Sequence, residues 1–318
     1  MILVTGGCGY IGSHIVKTLS ENGEEVVVYD NLTHGNADSL MHKDSLIIGD
    51  ITNSQSLEHV FSAHEIECVI HCAALVNASE SNEKANEYHR VNEVGSTIVY
   101  RAAKMAGVKY LLYASSAAVY GTPAGHSPLL ERGPTNPINV YGETKLAGEK
   151  SLKQACSGDM RFGIFRFFNV AGASPDGHLR QDPASNAILQ RLFGVAKGYE
   201  REIIISGHDY STKDGTVVRD FVHVEDITRA FTLALQYFRQ GRSSFTLNLG
   251  SGIPHTILEV LHTVELVTHK SIPTRYAPRI PGDIEYSLAD IRNAKKTLNW
   301  QPDHNLIQMI QDGYRVYQ

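Results

Sequence analysis

The chain has 318 residues, a formal net charge of −5 at pH 7 and 42% hydrophobic residues. This composition supports a large core and one or two domains, and the mild acidity argues against nucleic acid as the main partner. No apolar run approaches the length of a membrane span, and the first predicted strand starts at residue 2, which leaves no room for a signal peptide. We therefore expect a cytoplasmic protein that does not associate with membranes.

The cysteines and histidines show neither the spacing of a metal site nor the density of a disulfide framework. We expect all four cysteines to be reduced and structural: Cys8, Cys68, Cys72 and Cys156. His71, at a predicted strand end, is interpreted as a packed polar residue rather than a ligand. The sequence thus predicts a protein without a bound metal.

The N-terminus combines a short apolar strand with a glycine-rich turn. The glycines fit both G-x-G-x-x-G and G-x-x-G-x-x-G, and they are Gly6, Gly7, Gly9 and Gly12. Glycine allows a tight turn and lets a pyrophosphate approach the backbone closely. Because a helix is predicted over residues 11–20, the N–H groups of its first turn can face the phosphates.

A second predicted strand, over residues 25–29, leads into Asp30. An acid about 20 residues beyond the last glycine can accept hydrogen bonds from the adenosine ribose. Residues 31–36 contain no Arg or Lys, so a 2′-phosphate would meet an acid and no cation. The strand, glycines, helix, strand and acid together predict NAD rather than NADP.

Strands and helices alternate through the rest of the first half. Strands are predicted over residues 46–50, 69–74, 109–115 and 163–168, and helices over residues 82–106, with an interruption at Gly95, and from Tyr141 onward. Asp50 could reach the adenine amine, or it could cap the helix that starts near Ser54. The alternation predicts an α/β fold with a Rossmann-type doubly wound parallel sheet, which binds ligands at its carboxyl edge.

Tyr141 and Lys145 lie four residues apart on a predicted helix and therefore project from one face. A neutral tyrosine is a poor base at pH 7, and a fixed cation beside it favours the phenolate. Ser116, at the carboxyl end of the preceding strand, can bridge such a base to a substrate hydroxyl, whereas we assign Ser115 no direct role. This constellation suits the removal of a proton from an alcohol.

Glycines and prolines mark irregular chain after Asn169. A helix is then predicted over residues 186–197, with short strands over 203–205 and 246–249. We interpret residues 1–168 as an NAD-binding Rossmann domain. Residues 169–318 are interpreted as a smaller α/β lobe that binds substrate, from which some segments return to the first domain.

Four groups of residues resemble those of the extended short-chain dehydrogenases/reductases, and within them the UDP-glucose 4-epimerase group. They are residues 5–12, the set Ser116, Tyr141 and Lys145, residues 166–169, and residues 215–224. The last string is the most specific of the four, and the resemblance covers essentially the whole chain. It implies an NAD-dependent nucleotide-sugar epimerase.

The resemblance also implies a mechanism with tightly bound NAD. Tyr141 would remove the proton from the sugar 4-hydroxyl while hydride passes from C4 to the nicotinamide. Ser116 would hydrogen-bond the same oxygen, and Lys145 would lower the pKa of Tyr141 and hold the nicotinamide ribose. The 4-keto sugar would then rotate and take the hydride back on its other face. The cofactor supplies the difficult chemistry and the protein positions the groups.

The loop and the resemblance together indicate the binding residues. Those expected to contact NAD are Gly6, Gly9, Tyr10, Ile11, Gly12, Asp30, Asn31, Asp50, Ile51, Cys72, Ala73, Ala74, Asn92, Tyr141, Lys145 and Phe168. Those expected to contact the nucleotide sugar are Ser116, Asn169, Asn186, Ile204, Ile205, Ser206, Arg219, Arg279, Asp283 and Ser287.

Within the second set, the resemblance places Asn169 and Asn186 near the phosphates and residues 204–206 beside the base. Arg219 is the candidate diphosphate clamp, because a guanidinium can bind phosphate through two hydrogen bonds. The alternative for Arg219 is a structural salt bridge to Asp220 or Asp226.

The sequence departs from the group at three positions. Val76 stands where a lysine usually contacts the NAD phosphate, which implies weaker binding of NAD unless Asn77 compensates. Ile280 stands where an arginine usually helps to hold the diphosphate, so either Arg279 takes its place or Arg219 acts alone. Ser287 stands at a wall of the sugar C2 pocket, where a large aromatic residue would exclude N-acetyl groups.

Several alternatives remain open from the sequence. A dehydratase or decarboxylase of this fold would need an acid beside the active-site hydroxyl, and Ser116 is followed by Ala117 and Ala118. The sequence is equally compatible with a uronic acid 4-epimerase and with an oxidoreductase that releases NADH. A non-enzymatic relative would tend to lose Tyr141 or Lys145.

A homodimer is expected by analogy, through the helices predicted over residues 82–106 and 141–154. Their apolar positions could equally pack inside one subunit: Val94, Ile98, Leu146 and Leu152.

Overall fold

A computed structural model describes residues 1–156, 158–280 and 282–317. Its strands are β1 (Ile2–Thr5), β2 (Val26–Asp30), β3 (Leu46–Ile48), β4 (Cys68–His71), β5 (Tyr110–Ser116), β6 (Arg161–Phe167), β7 (Asn169–Ala171), β8 (Ile203–Ser206), β9 (Val218–His223), β10 (Phe245–Leu249), β11 (Pro254–Thr256) and β12 (Thr274–Ala277). Seven of them form one parallel sheet in the order β10-β6-β5-β4-β1-β2-β3. The predicted α/β fold with a doubly wound sheet is confirmed.

The helices lie between these strands along the chain. They are α1 (Tyr10–Glu21), α2 (Ser54–Ala63), α3 (Ala78–Ser81), α4 (Ala85–Tyr88), α5 (Ser96–Met105), α6 (Val140–Ala155), α7 (Ile188–Ala196), α8 (Val224–Arg239), α9 (Ile257–Thr268), α10 (Arg292–Leu298) and α11 (Leu306–Arg315). In the described part of the chain, none of the helices has the length and apolar character that a membrane span requires.

Apolar residues cover both faces of the large sheet. In β1, Ile2 and Val4 belong to the core cluster that includes residues of α1 and α8, while Leu3 belongs to the cluster that includes residues of α2 and α5. Successive side chains of a strand point to opposite faces, so one short strand supplies both layers. This burial on both faces explains why the parallel strands have nearly continuous apolar sequences.

The second half of the chain contributes both to a separate lobe and to the large sheet. One part forms the sheet β11-β9-β7 and the pair β12-β8, which pack with α7, α9 and α11 around a separate core cluster. The other part returns to the large sheet, where β10 pairs with β6 and α8 packs against α1. The predicted strand over residues 246–249 is therefore the edge strand of the Rossmann sheet. The functional division at residues 168 and 169 stays a prediction.

The prediction that the helix over residues 82–106 is interrupted at Gly95 is wrong. The chain is helical from Ala85 to Met105, with π-helical turns over His89–Gly95, and residues 82–84 separate it from α3. A Cβ at Gly95 would lie 2.9 Å from the Ile51 side chain, so this glycine allows close packing against the loop before α2. Gly95 therefore allows close packing of the helix and does not interrupt it.

Three buried histidines are held in the neutral form. Burial lowers the pKa of His14 from 6.5 to about 4, and it lowers the pKa values of His71 and His223 to about 3. His71 uses both ring nitrogens, towards Thr5 Oγ1 at 2.6 Å and Ser96 Oγ at 2.9 Å. This geometry agrees with the interpretation of His71 as a packed polar residue.

These histidines predict loss of stability in mild acid. Each has a folded pKa below its unfolded value, so its contribution is complete above pH 6.5 and is lost as the pH falls towards the folded value. The expected cost is up to about 1.4 kcal/mol per pH unit for each histidine. Denaturant unfolding between pH 7 and pH 5 should show this slope, and His14→Gln should reduce it. An unchanged slope in that variant would contradict the account.

Candidate active site

The glycine turn after β1 is built by close contacts within the protein. Gly6 has a φ of +71°, and a Cβ there would lie 2.5 Å from the amide nitrogen of Ala73. A Cβ at Gly12 would lie 2.1 Å from the carbonyl oxygen of Gly6, whereas one at Gly9 would be 3.4 Å from the same oxygen. Gly6 and Gly12 are therefore required by the protein itself, while Gly9 faces open space beside the start of α1.

The start of α1 remains open to an anion. Its N-cap is Gly9, which has no side chain to accept a hydrogen bond from the first turn at Tyr10, Ile11 and Gly12. Backbone N–H groups at a helix N-terminus bind phosphate through hydrogen bonds and the helix dipole. The cradle fits the pyrophosphate of a dinucleotide. The Tyr10 side chain points away from this cradle to Gly172, because its hydroxyl donates a hydrogen bond to Gly172 O at 2.7 Å.

Asp30 stands beside the turn at the end of β2. Its carboxylate accepts hydrogen bonds from the backbone N–H of Cys8 at 3.0 Å and of Leu32 at 2.8 Å. Asn31 Nδ2 donates to Asp50 Oδ2 at 3.2 Å, so these two predicted residues are neighbours. The alternative that Asp50 caps α2 is wrong, because Asn53 provides the cap and Asp50 accepts from Thr52 instead.

The segment after β4 completes this edge of the sheet. Cys72 N donates to Thr5 O at 3.0 Å, and Ala73 lies against Gly6, so small residues border the turn. Asn92 is fully buried, and its amide bonds Leu75 N, Leu75 O and Thr144 Oγ1. The amide thus holds the loop onto α6, and direct contact of Asn92 with a cofactor stays a prediction.

The structure brings Ser116, Tyr141 and Lys145 together at the carboxyl end of β5. Tyr141 and Lys145 lie on one face of α6, and the Lys145 ammonium is 5.9 Å from the centre of the Tyr141 ring. Lys145 Nζ donates to Ala114 O at 2.8 Å, and the Ser116 hydroxyl lies near enough to the Tyr141 phenol to lower its pKa. The arrangement is suited to proton transfer between a phenol and a substrate hydroxyl.

The pKa of Tyr141 differs from the sequence expectation. Burial raises it above the ordinary value, and the nearby Ser116 hydroxyl opposes that effect. Burial also lowers the pKa of Lys145 from 10.5 to about 8, against the attraction of Cys72 and Glu149. In the protein alone, burial and Ser116 are the causes that act on the pKa of Tyr141, and the expected lowering by Lys145 is not among them.

Two arginines of the second lobe are already paired. Arg219 Nη2 donates to Asp283 Oδ1 at 2.7 Å and its Nη1 donates to Ile284 O, so the alternative of a pair with Asp220 or Asp226 is wrong. Arg279 is exposed, pairs with Asp209 at 2.8 Å, and lies over the Tyr210 ring.

The remaining predicted substrate residues also lie in the second half of the chain. Asn169 starts β7 and is exposed, Asn186 is exposed in the loop before α7, and residues 204–206 are in β8. Ser287 N donates to Val218 O at 3.1 Å, which places Ser287 beside the start of β9. Ile284 O receives the Arg219 bond, so Asp283, Ser287 and Arg219 belong to one region.

Two of the residues that differ from the resembled group are exposed on the surface. Val76 and Ile280 have exposed fractions of 69% and 56%. Asn77 caps α3 by accepting from Ser79 N and Glu80 N, so its side chain serves the helix.

Sequence reasoning missed Glu149, which follows Lys145 by four residues on α6. Its carboxylate is buried and paired with Arg166, and it accepts a hydrogen bond from Ser115. The signal was the continuation of the spacing from Tyr141 and Lys145 by one more turn.

None of the described side chains forms a group of three or more His, Cys, Asp or Glu suited to a metal ion. The cysteines are free thiols, and burial raises the pKa of Cys8 to about 12.

Residues 2–250 match the family model described as the NAD dependent epimerase/dehydratase family. The chain is 37% identical to a UDP-glucose 4-epimerase of Bacillus subtilis, with 99% of this chain and 96% of the relative covered. The chain therefore belongs to the NAD dependent epimerase/dehydratase family.

Solved structures give the same result. A UDP-glucose 4-epimerase from Stenotrophomonas maltophila, with bound NAD and formylated UDP-arabinopyranose, has a TM-score of 0.95 and 36% identity, covering 99% of this chain and 97% of that one. The UDP-Glc/GlcNAc 4-epimerase of Campylobacter jejuni has a TM-score of 0.87 and 30% identity, covering 99% and 98%.

Gly9 and Gly12 predict separable effects on stability and NAD binding. Gly12→Ala should lower the thermal midpoint and abolish NAD binding, because its Cβ meets the Gly6 carbonyl. Gly9→Ala should fold normally but bind NAD at least about tenfold more weakly, because its methyl group would occupy the path of the pyrophosphate. Thermal unfolding and calorimetric titration with NAD measure the two effects. Wild-type NAD affinity in Gly9→Ala would contradict the assignment of the cradle.

Proposed function

We propose that this protein uses NAD to invert C4 of a UDP-sugar through a transient 4-keto intermediate. The observation that carries the proposal is the Ser116–Tyr141–Lys145 set at the carboxyl end of β5, in the same sheet edge as the glycine cradle. Family membership and full-length similarity to UDP-glucose 4-epimerases support it.

The protein's own residues would transfer one proton in this reaction. Tyr141 accepts it from the sugar 4-hydroxyl, and Ser116 holds the same oxygen through its hydroxyl. Bound NAD supplies a hydride acceptor and, in its oxidised form, a positive charge on the nicotinamide ring. That charge and Lys145 would together favour the phenolate and offset the desolvation that raises the pKa of Tyr141.

The second lobe would hold the UDP group. Arg219 is half-buried and its guanidinium is oriented by Asp283 and the carbonyl of Ile284, which prepares it for a diphosphate. Asn169, Asn186 and residues 204–206 would contact the phosphates and the base, as the resemblance implies. Arg279, held by Asp209, is the nearest substitute for the arginine replaced by Ile280.

The segment after Ser116 favours an epimerase over a dehydratase. Ala117 and Ala118 begin the short 3-10 turn that ends at Tyr120, so apolar side chains stand where a dehydratase would need an acid. A UDP-glucuronate 4-epimerase would share every feature described above, and its substrate is therefore included in the assay.

A homodimer through the helix of residues 85–105 and α6 is part of the proposal. Val94 and Met105 have exposed fractions of 52% and 82% on the first helix, which leaves apolar surface for a partner. Leu152 is fully buried and Ile98 packs against the same core cluster, so both serve the subunit interior.

One prediction of the proposed function tests the proton transfer. Tyr141→Phe should lower kcat for UDP-glucose by about 10²–10⁴-fold, because it removes the general base and leaves the fold intact. Product formation by NMR, together with thermal unfolding, measures both quantities for UDP-glucose, UDP-GlcNAc and UDP-glucuronate. Tyr237→Phe, a matched change in α8, should keep wild-type activity. Near wild-type turnover in Tyr141→Phe would remove Tyr141 from the mechanism.

Another prediction of the proposed function concerns the sugar. We propose that Ser287 leaves room for an N-acetyl group at C2, so the wild-type protein should epimerise both UDP-glucose and UDP-GlcNAc. Ser287→Tyr should reduce kcat/KM for UDP-GlcNAc by about tenfold or more and spare UDP-glucose, because a bulky wall excludes only the larger substituent. Ser287→Ala serves as the control. No turnover of the acetylated sugar by the wild-type protein would refute this assignment.

A further inference from the structure

We propose that the buried Glu149–Arg166 ion pair is a positioning element for the reaction, which holds α6 in register on β5 and keeps a carboxylate behind the Lys145 ammonium. The inference rests on the proposed function, and Glu149 and Arg166 have no contact with a reacting atom assigned to them there.

The pair is buried and geometrically complete. Glu149 and Arg166 are 1% and 3% exposed, and the guanidinium donates to both carboxylate oxygens, from Nε at 2.8 Å and from Nη2 at 2.7 Å. Ser115 Oγ donates to the same carboxylate at 2.7 Å. Such a two-pronged pair fixes orientation as well as distance, because both groups are planar.

Three consecutive residues of β5 each hold one residue of a single stripe on α6. The Ala114 carbonyl receives the Lys145 ammonium, Ser115 bonds Glu149, and Ser116 lies near enough to Tyr141 to lower the pKa of its phenol. Residues spaced by four on a helix share a face, so a shift of α6 along the strand would break all three contacts together. Glu149, which accepts the hydrogen bond from Ser115, is also bound by Arg166 on β6. Arg166 is the residue that pairs with Ser115 in the β5–β6 register.

The charge of Glu149 also acts on Lys145. The groups that face Lys145 are Cys72 after β4, Tyr113 on β5 and Tyr141 and Glu149 on α6, with His71 held neutral nearby. Among them, Glu149 and Cys72 raise the pKa of Lys145 against desolvation. Since the Cys72 thiol is kept protonated by burial, which raises its pKa to about 12, the attraction on the Lys145 ammonium comes from the Glu149 carboxylate, which is paired with Arg166.

Hydrogen bonds also connect the Glu149–Arg166 pair with the proposed sugar pocket. Arg166 Nη1 donates to Glu131 O at 3.1 Å, and the adjoining loop is tied to the C-terminal segment by Leu129 N to Leu288 O at 2.8 Å. Leu288 follows Ser287, so one network connects the proton-transfer residues with the wall of the pocket.

The test uses the full-length protein, with Glu149→Gln and the double variant Glu149→Gln/Arg166→Met, which removes both charges and so avoids an unpaired buried cation. Both should lower kcat by about tenfold to a hundredfold while KM changes by less than about threefold, because misplacement acts on the chemical step. In both, the alkaline limb of the kcat profile should move to lower pH, since Lys145 loses its proton more readily. Arg239→Met, which breaks an ion pair with Glu24 and Glu67 before β2 and β4, is the control and should leave the profile unchanged.

A second readout does not depend on turnover. Titration of the lysine side chains by NMR, with Lys145→Met to assign the signal, should show a lower pKa for Lys145 in both variants. If the wild-type protein inverts no UDP-sugar, the proposed function fails, and this titration alone then decides the role of Glu149. Wild-type kcat and pH profile in the double variant, or an unchanged Lys145 titration, would show that the pair is only structural and overturn the proposal.

Discussion

The docking of α6 onto the carboxyl end of β5 is the contact on which the proposed chemistry depends. A helix repeats nearly every four residues and a strand presents consecutive backbone and side-chain groups, so one helix stripe can meet one strand end at several points. Here Tyr141 and Lys145 meet Ser116 and Ala114 in this way. Tyr141 and Lys145 are thereby positioned by a helix and a strand rather than by loops.

The parallel sheet explains why the cofactor cradle and the proton-transfer residues share one edge. The strand order reverses between β1 and β4, and the segments that follow β1, β4 and β5 all emerge on the same side. Gly6 and Gly12 let the first of these segments fold tightly against the second. Electrostatics add a constraint, because burial raises the pKa of Tyr141 and lowers that of Lys145, so the site needs added positive charge to favour the phenolate.

The sequence predicted the fold class, most element positions and the residues gathered at the sheet edge, because buried parallel strands, glycine turns and helix spacing are local patterns. It could not place β10, since a short apolar strand does not reveal which sheet it joins. It also missed the Arg219–Asp283 pair, whose members are 64 residues apart, and the rise in the pKa of Tyr141, which depends on tertiary burial. Gly95 was misread because a glycine for close packing and a glycine that ends a helix look alike in sequence.

The most direct test of the central claim follows the hydrogen at C4. The protein is incubated with UDP-glucose deuterated at C4, and both the product and the cofactor are examined by NMR and absorbance. The account predicts C4-inverted product that retains its deuterium, with no net accumulation of NADH, because the same hydride leaves and returns. Loss of deuterium to solvent, or stoichiometric NADH, would contradict a transient oxidation at C4.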